Sequence, residues 1–539
     1  MKKILIVFLG IALIGMTSCN KMLSESPKTF ISPDNYFQTE EQMNGAMWGC
    51  FEYLMSYDGY GCNFSYYTEF LAYTKCVNSA QIAHSYNLTP GDQVFNKIWK
   101  TFYQCIGSAN YIIYLLNEGK ASMSAEAKNC FMGEALFYRA LCYFNLVRCF
   151  GEIPIVTALA QNIDDLVTPR RPIKDVYEEV IIPDLKKAIE LLPIVNPYDV
   201  GRAHRISAAG LLAKVYCTMA GFPLNDSSKW QDAKDLLLTI VDTADPSKAK
   251  APYTNALQKD MADLYYVCSK MALNDPAVIE KRAVENGVES VFEINYNENS
   301  TYNQTGWCNF PNTNAWRQWA NSAEWVYMDA PNKAGFPTDQ PDYNFFLTSN
   351  DPRHYITYTT SYFTGTLSGN TIQMKYPRVY TGATQSFETN WIVMRYSELV
   401  LLLAEAENEL NGPTELAKSC VNAIRQRARN STPTSLDPDS DLVDGTYPAD
   451  VTAAQAADKD TFRHYIKKEV VCEFAWEGVL YFDFVRWHEL EERLIWSRDA
   501  YNRANSNDRK WPGDHVYFWP IPTEQINATN NVLTQNKGY

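Results

Sequence analysis

Residues 127–154 read AKNCFMGEALFYRALCYFNLVRCFGEIP, and this run decides the fold class. Phe131, Ala135, Tyr138, Cys142 and Leu146 recur at three- and four-residue steps, which places them along one face of a helix. Gly151 follows Phe150 and Pro154 lies just beyond, so the helix ends there: glycine tolerates the turn that closes a helix, and proline cannot prolong one. The segment predicts a long helix over 127–150 with an apolar face.

Working outward, the same periodicity returns on both sides. Met43, Met47, Phe51 and Leu54 form a stripe over 39–55. A second helix is expected over 94–116, with Asp92 placed to cap its first amides. Three more are expected near 173–192, 205–220 and 229–243. A later pair, Ile392–Leu410 and Thr414–Arg429, is separated only by Asn411-Gly412-Pro413, the pattern of a tight helix–turn–helix. Ala404, Ala406, Ala417 and Ala423 would let its helices approach closely, as in tetratricopeptide-like stacking. A strict 34-residue period is not kept, so the repeats are degenerate or the helices form an irregular bundle. Residues 289–296 alternate Phe292, Ile294 and Tyr296 with Glu293 and Asn295, which predicts a short strand. Segment 297–345 has no sustained period and is rich in Asn, Thr, Pro and aromatics, as functional loops are.

The chain starts Met-Lys-Lys, continues through the apolar run Ile4–Ile14, and reaches Gly15-Met16-Thr17-Ser18-Cys19. Eleven apolar residues suit export but are too few to span a bilayer, and small residues before a cysteine suit a lipoprotein signal peptidase. Residues 1–18 are therefore expected to be removed, leaving Cys19 as an acylated N-terminus that ties the protein to a membrane. That cleavage removes two lysines, so the formal net charge moves from −14 to −16 over 521 residues. So acidic a chain disfavours nucleic acid and anionic lipid surfaces as partners. The other twelve cysteines show no C-x-x-C spacing and are read as buried, unreactive thiols, with one or two disulfides as the alternative.

Five segments in order resemble the SusD/RagB family. They are Arg139 to Pro154; Gly201-Arg202-Ala203 with Leu211 to Tyr216; Arg395 to Val400 running into Ala404-Glu405-Ala406; Glu473 to Gly478 with Phe482-Asp483 and Arg486-Trp487; and Pro520-Ile521-Pro522 with Glu524 and the closing Gln535 to Tyr539. Val479-Leu480 stands where the family commonly has His-Arg, and His204 where a Thr or Ser cap is usual. The resemblance implies a mainly α fold, with about four tetratricopeptide-like helix pairs packed against an irregular, loop-rich half that has a few short strands. It implies one domain over 19–539, with a helical scaffold mainly at 39–243 and 391–490 and a loop-rich, ligand-binding insert at about 250–390. It also implies an outer-membrane lipoprotein facing the exterior, glycan binding without cleavage, and a TonB-dependent SusC-like barrel as partner. The charged motif residues Arg139, Arg395, Glu398, Glu477, Asp483 and Arg486 are read as structural, because buried charges are kept when paired.

A sugar ring offers a C–H face that stacks on an aromatic ring and a rim of hydroxyls that needs amide or charged partners. Segment 295–327 supplies both. Tyr296, Tyr302, Trp307, Trp316 and Trp319 alternate with Asn312, Asn314 and Arg317, and four of the 13 tryptophans fall within nineteen positions. Trp316 and Trp319 share one helical turn and are the expected platform. The alternative is that these rings fill a small local core. Tyr67 and Tyr73, from a tyrosine-rich stretch that also holds Tyr57, Tyr60 and Tyr66, are the second expected contact.

Asp437 to Gly445 superficially resembles a calcium loop, but Leu442 and Pro448 stand where the EF-hand pattern needs glycine and glutamate, so a solvated acidic loop is expected. The six histidines show no zinc spacing, and no P-loop or nucleophile elbow occurs. No cofactor is expected. The competing functions are a surface glycoside hydrolase, which needs two carboxyls about 5–10 Å apart in a cleft, and a helical-repeat adaptor for peptide or protein cargo.

Overall fold

The computed structural model describes residues 37–61, 63–71, 88–159, 162, 167–265, 267–268, 279–281, 284–296, 350–359, 361–362, 365–366, 372–373, 375, 390–432, 443–492 and 511–539. Its helices, in chain order, are α1 (Glu40–Met55), α2 (Asn63–Phe70), α3 (Gln93–Glu118), α4 (Ala125–Phe150), α5 (Ile173–Val176), α6 (Ile182–Leu191), α7 (Arg205–Ala220), α8 (Lys229–Leu237), α9 (Pro352–Thr357), α10 (Tyr396–Asn411), α11 (Glu415–Arg429), α12 (Lys459–Phe474), α13 (Leu480–Arg486) and α14 (Thr523–Ala528). A π turn, Tyr177–Ile181, joins α5 to α6.

Local chemistry sets most of these ends. Thr39 Oγ1 accepts from the Gln42 amide and Gln42 Oε1 accepts from the Thr39 amide, each at 3.2 Å, a reciprocal cap on α1. Ser124 and Thr414 cap α4 and α11 in the simple way. Asp92 does not cap α3 as the sequence predicts. Its carboxylate accepts from Thr89 N–H and Oγ1–H at 2.8 and 2.9 Å, so it stabilises the preceding turn instead. The stretch at 392–395 also departs from the expected helix. Trp391–Arg395 is a strand, because its aromatic and β-branched residues pair with a second strand, and α10 starts only at Tyr396.

The long helices pack in succession: α1 on α3, α3 on α4, α4 on α6, α6 on α7, α7 on α8, α8 on α10, and α10 on α11. They form four consecutive pairs, α1/α3, α4/α6, α7/α8 and α10/α11, with α12 against α10. Helix α4 lies at the centre and is buried all round, not along one face alone; Leu136, Leu141 and Phe144 on its other sides are as enclosed as Tyr138. Several of the polar groups that this burial traps are paired. Arg139 donates to both oxygens of Asp184 at 2.7 Å each, Asn145 donates to Tyr60 Oη at 2.8 Å, and Glu134 holds the guanidinium of Arg202. The eight cysteines whose side chains are described are all free and buried, and the sulfurs of Cys50 and Cys105 lie 3.6 Å apart in a thiol hydrogen bond, not a disulfide.

The C-terminal segment closes over α3 and α4. Trp519 is fully buried among Phe95, Phe150 and Tyr481, and its amide donates to Cys149 O at 2.6 Å. Asn536 Nδ2 bridges Phe150 O and Trp519 O at 2.9 and 2.8 Å.

Strands are few and short. The described residues form four two-stranded sheets. The one that matters most pairs β3 (Ser290–Ile294) with β8 (Trp391–Arg395), antiparallel, with Ser290 opposite Arg395 and Ile294 opposite Trp391. The other six strands are β1 (Val267–Cys268), β2 (Ile279–Lys281), β4 (Tyr358–Thr359), β5 (Ser361–Tyr362), β6 (Gly365–Thr366) and β7 (Ile372–Gln373).

Candidate ligand-binding site

β3 ends at Ile294 and β8 begins at Trp391, so this ladder is the stem that brackets, along the chain, the stretch holding the aromatic residues. The two ends of the stem are tied to each other. Asn390 Oδ1 accepts from Tyr296 N–H at 3.0 Å, while Asn390 Nδ2 donates to Asn295 Oδ1 and Glu293 Oε2 at 2.8 and 3.1 Å. Phe292 packs edge-on to Phe51 and Phe137, which fixes the stem to α1 and α4.

Beneath the stem lies a buried ion network. Arg353, Lys375, Arg395, Arg425 and Arg427 supply the cations; Glu289, Asp351, Glu469, Glu473 and Glu477 supply the anions. Arg395 reaches Glu289 at 2.7 Å and Glu477 at 2.8 Å, and Arg353 reaches Asp351 at 2.8 Å and Glu469 at 2.6 Å. Burial alone would raise the Glu473 carboxyl, but Arg427, Arg395 and Arg353 hold it well below the usual range. The network joins β3, β8, α11 and α12 to two pieces of the insert, Asp351–Arg353 and Lys375. A sixth carboxyl, Glu69 at the end of α2, accepts from Gly478 N–H but leaves Oε1 buried without a hydrogen bond. Burial pushes it up to about 8, so it is mainly protonated at pH 7 and the five opposite pairs stay in balance.

The motif charges read as structural are all in such pairs. Glu398 meets Lys214, and Arg486 meets both Glu405 and Asp483 at 2.7 Å. His204 precedes α7 and is served by Ser207, whose Oγ accepts from the His204 amide at 3.3 Å.

Of the expected ligand contacts, Tyr302, Trp307, Asn312, Asn314, Trp316, Arg317, Trp319 and Tyr73 lie outside the described residues, as does the lipidation residue Cys19 and most of the Asp437–Gly445 loop. Tyr296 is described and is a core residue in this structure: it is 7% exposed and its hydroxyl donates to Met55 O at 3.3 Å. It lies two residues beyond the end of β3, whose residues Val291 to Ile294 are all buried. Tyr67 is half-buried, with its ring edge-on to Phe95 and close to Trp519. Within the same stretch Tyr60 is buried and Tyr57 is 50% exposed. Tyr57 stands two residues from Met55, so the turn after α1 and the mouth of the insert are neighbours. That turn needs its glycines: a Cβ on Gly59 would lie 2.6 Å from Tyr53 O. Sequence reading missed Glu69, Glu289 and Lys375, whose partners are far away along the chain, and Asp351, which pairs with Arg353 two residues on but which no local motif marks. Among the described residues no group of three or more His, Cys, Asp or Glu is placed to hold a metal ion.

Comparison with known proteins agrees with this architecture. The profile described as SusD family matches residues 347–539, and the one described as starch-binding associating with outer membrane matches residues 40–217. SusD-like protein P2 of Formosa agariphila is 25% identical over 562 aligned positions, spanning 100% of both chains. A SusD homolog from Bacteroides thetaiotaomicron superposes with a TM-score of 0.68 at 20% identity, over 93% of this chain and 97% of that one. Surface glycan-binding protein A from the same organism, solved in complex with laminarihexaose, superposes with a TM-score of 0.63 at 17% identity, over 93% and 100%. Two profiles in order, a relative aligned end to end, and a shared fold lead to one assignment: the chain belongs to the SusD/RagB family.

Proposed function

We propose that this chain is a cell-surface lipoprotein of the outer membrane that binds oligo- or polysaccharide without cleaving it and passes it to a TonB-dependent, SusC-like barrel. Lipid on Cys19 is the proposed anchor; no helix among the described residues is long and apolar enough to cross a membrane. The proposed ligand platform is the aromatic and amide stretch of the insert, led by Trp316 and Trp319, with Trp307, Tyr302, Asn312, Asn314 and Arg317 around it and Tyr73 on the early loop. The observation that carries the reading is that this fold, over 93% of the chain, is also that of a surface glycan-binding protein solved with laminarihexaose. In this chain the fold carries an insert whose residue types suit sugar stacking and hydroxyl recognition.

Affinity electrophoresis of the mature chain through gels containing laminarin, starch, xylan or mannan tests it, with a reducing-end assay on the same samples. Retardation by at least one polymer with no new reducing ends is expected. Mobility unchanged by every polymer, or new reducing ends, would overturn the reading.

A further inference from the structure

A cleft of about 380 Å³ opens between the loop leading into α7, the turn at 253–255 and the approach to β3. Its volume falls within the range of small-molecule sites. Three valines, Val195, Val200 and Val288, line it while standing 74%, 68% and 50% exposed. Apolar side chains this open rarely gather around one opening unless something covers them.

The walls between the valines are polar and incompletely used. The hydroxyls of Tyr253 and Thr254 make no hydrogen bond among the described residues. Asn255 Nδ2 donates to Ser290 O at 2.7 Å, which orients its amide and leaves Oδ1 as an acceptor. His204 also lines the cleft. Ser207 donates its hydroxyl proton to Val291 O at 2.6 Å, so the 3.0 Å contact between Ser207 Oγ and His204 Nδ1 has the histidine as donor. That tautomer leaves Nε2 as an acceptor. Burial holds the His204 pKa below its ordinary value, so the ring is neutral.

Charge narrows the ligand class. The Arg202 guanidinium is taken by Glu134, and the Glu293 carboxyl accepts from Asn286 N–H and Asn390 Nδ2. Asp199 stands at the rim and accepts from Val200 N–H. An anion would meet Asp199, and the one lysine or arginine among the lining residues, Arg202, is already paired. An uncharged molecule with apolar faces and several hydroxyls fits both the valines and the open polar groups.

We propose that this cleft is a second carbohydrate site, for neutral sugar units, built on the helical scaffold and not on the insert. The sugar's C–H faces rest on Val195, Val200 and Val288, and its hydroxyls bond Tyr253, Thr254 and His204 Nε2. The ligand class rests on the glycan-binding reading; the cleft and its open groups do not. Two sites on one chain give a polymer two points of attachment, so long chains bind more tightly than fragments that reach one site only.

The test uses the mature full chain, with maltose, cellobiose, laminaribiose, mannobiose and xylobiose as probes in saturation-transfer NMR. Val288→Trp fills the cleft from an exposed position, and Thr254→Val removes a hydroxyl at constant shape; melting temperatures confirm that both fold. In a Trp316→Ala/Trp319→Ala background, at least one disaccharide should still give signal, falling tenfold or more with Val288→Trp added and threefold or more with Thr254→Val added. Residual signal that ignores both cleft variants, or absence of residual signal, overturns the second site and leaves the insert reading intact. If the tryptophan pair changes nothing while Val288→Trp removes all signal, the insert reading fails and the cleft stands.

Discussion

Arg395 and Glu477, 82 positions apart, face each other across two parallel hydrogen bonds, Nε to Oε2 at 2.8 Å and Nη2 to Oε1 at 3.0 Å. This fork geometry is the strongest arrangement available to a buried guanidinium. It binds the last residue of β8 to the turn after α12, and so fixes where the insert re-enters the helices. Removing one partner leaves a buried charge uncompensated. Arg395→Ala should therefore cost about 3–5 kcal/mol, read as a lower urea midpoint, while Arg395→Met paired with Glu477→Leu should recover part of the loss.

Glu69 makes stability depend on pH. Its folded pKa is raised from 4.5 to about 8, so the fold favours the protonated form. That contribution is complete below pH 4.5 and is lost as pH rises towards 8. Wild-type stability should fall across this window by an amount on the order of a few kcal/mol, and Glu69→Gln should flatten the fall. Lys375, lowered to about 8 by burial against the pull of Glu477, works in the opposite sense above pH 8. Chemical denaturation at pH 5, 6, 7 and 8 is therefore the informative series. Parallel wild-type and variant curves would contradict this.

Trp316→Ala and Trp319→Ala together should weaken oligosaccharide binding tenfold or more, since each stacked ring contributes about 0.5–1.5 kcal/mol beyond area burial. The urea midpoint should stay unchanged. A large fall in stability would instead identify these rings as local core.

The eight described thiols should resist alkylation while the chain is folded. Burial raises the Cys149, Cys217 and Cys420 thiols far above their ordinary value, and none of the eight is exposed. Peptide mapping after iodoacetamide should find these positions unmodified without denaturant and modified with it.

The helical half was readable in the sequence because each long helix carries its own period and stop signal. Gly151 and Gly412 both close helices where expected. Errors arose where a competing partner, near or distant, overrode local pattern. Asp92 turns back to Thr89 instead of capping α3, and Trp391–Arg395 is drawn into a ladder by β3. Tyr296 is aromatic and lies beside the polar insert, yet its amide bonds Asn390 and its hydroxyl bonds Met55 O in the interior. The ion network could be seen only in part, as Arg395 and Glu477 within motifs. Glu289 and Lys375 join it across about a hundred residues. The cleft was invisible, because its walls come from the loop before α7, the turn at 253–255 and β3 with its approach, which no single motif joins.

The knot of charges under β3 and β8 also separates two kinds of change. Every described pair in it is made by residues outside positions 297–349, so a substitution within that stretch removes none of these pairs. A replacement insert grafted between Tyr296 and Asn350 therefore has a ready-made foundation to inherit.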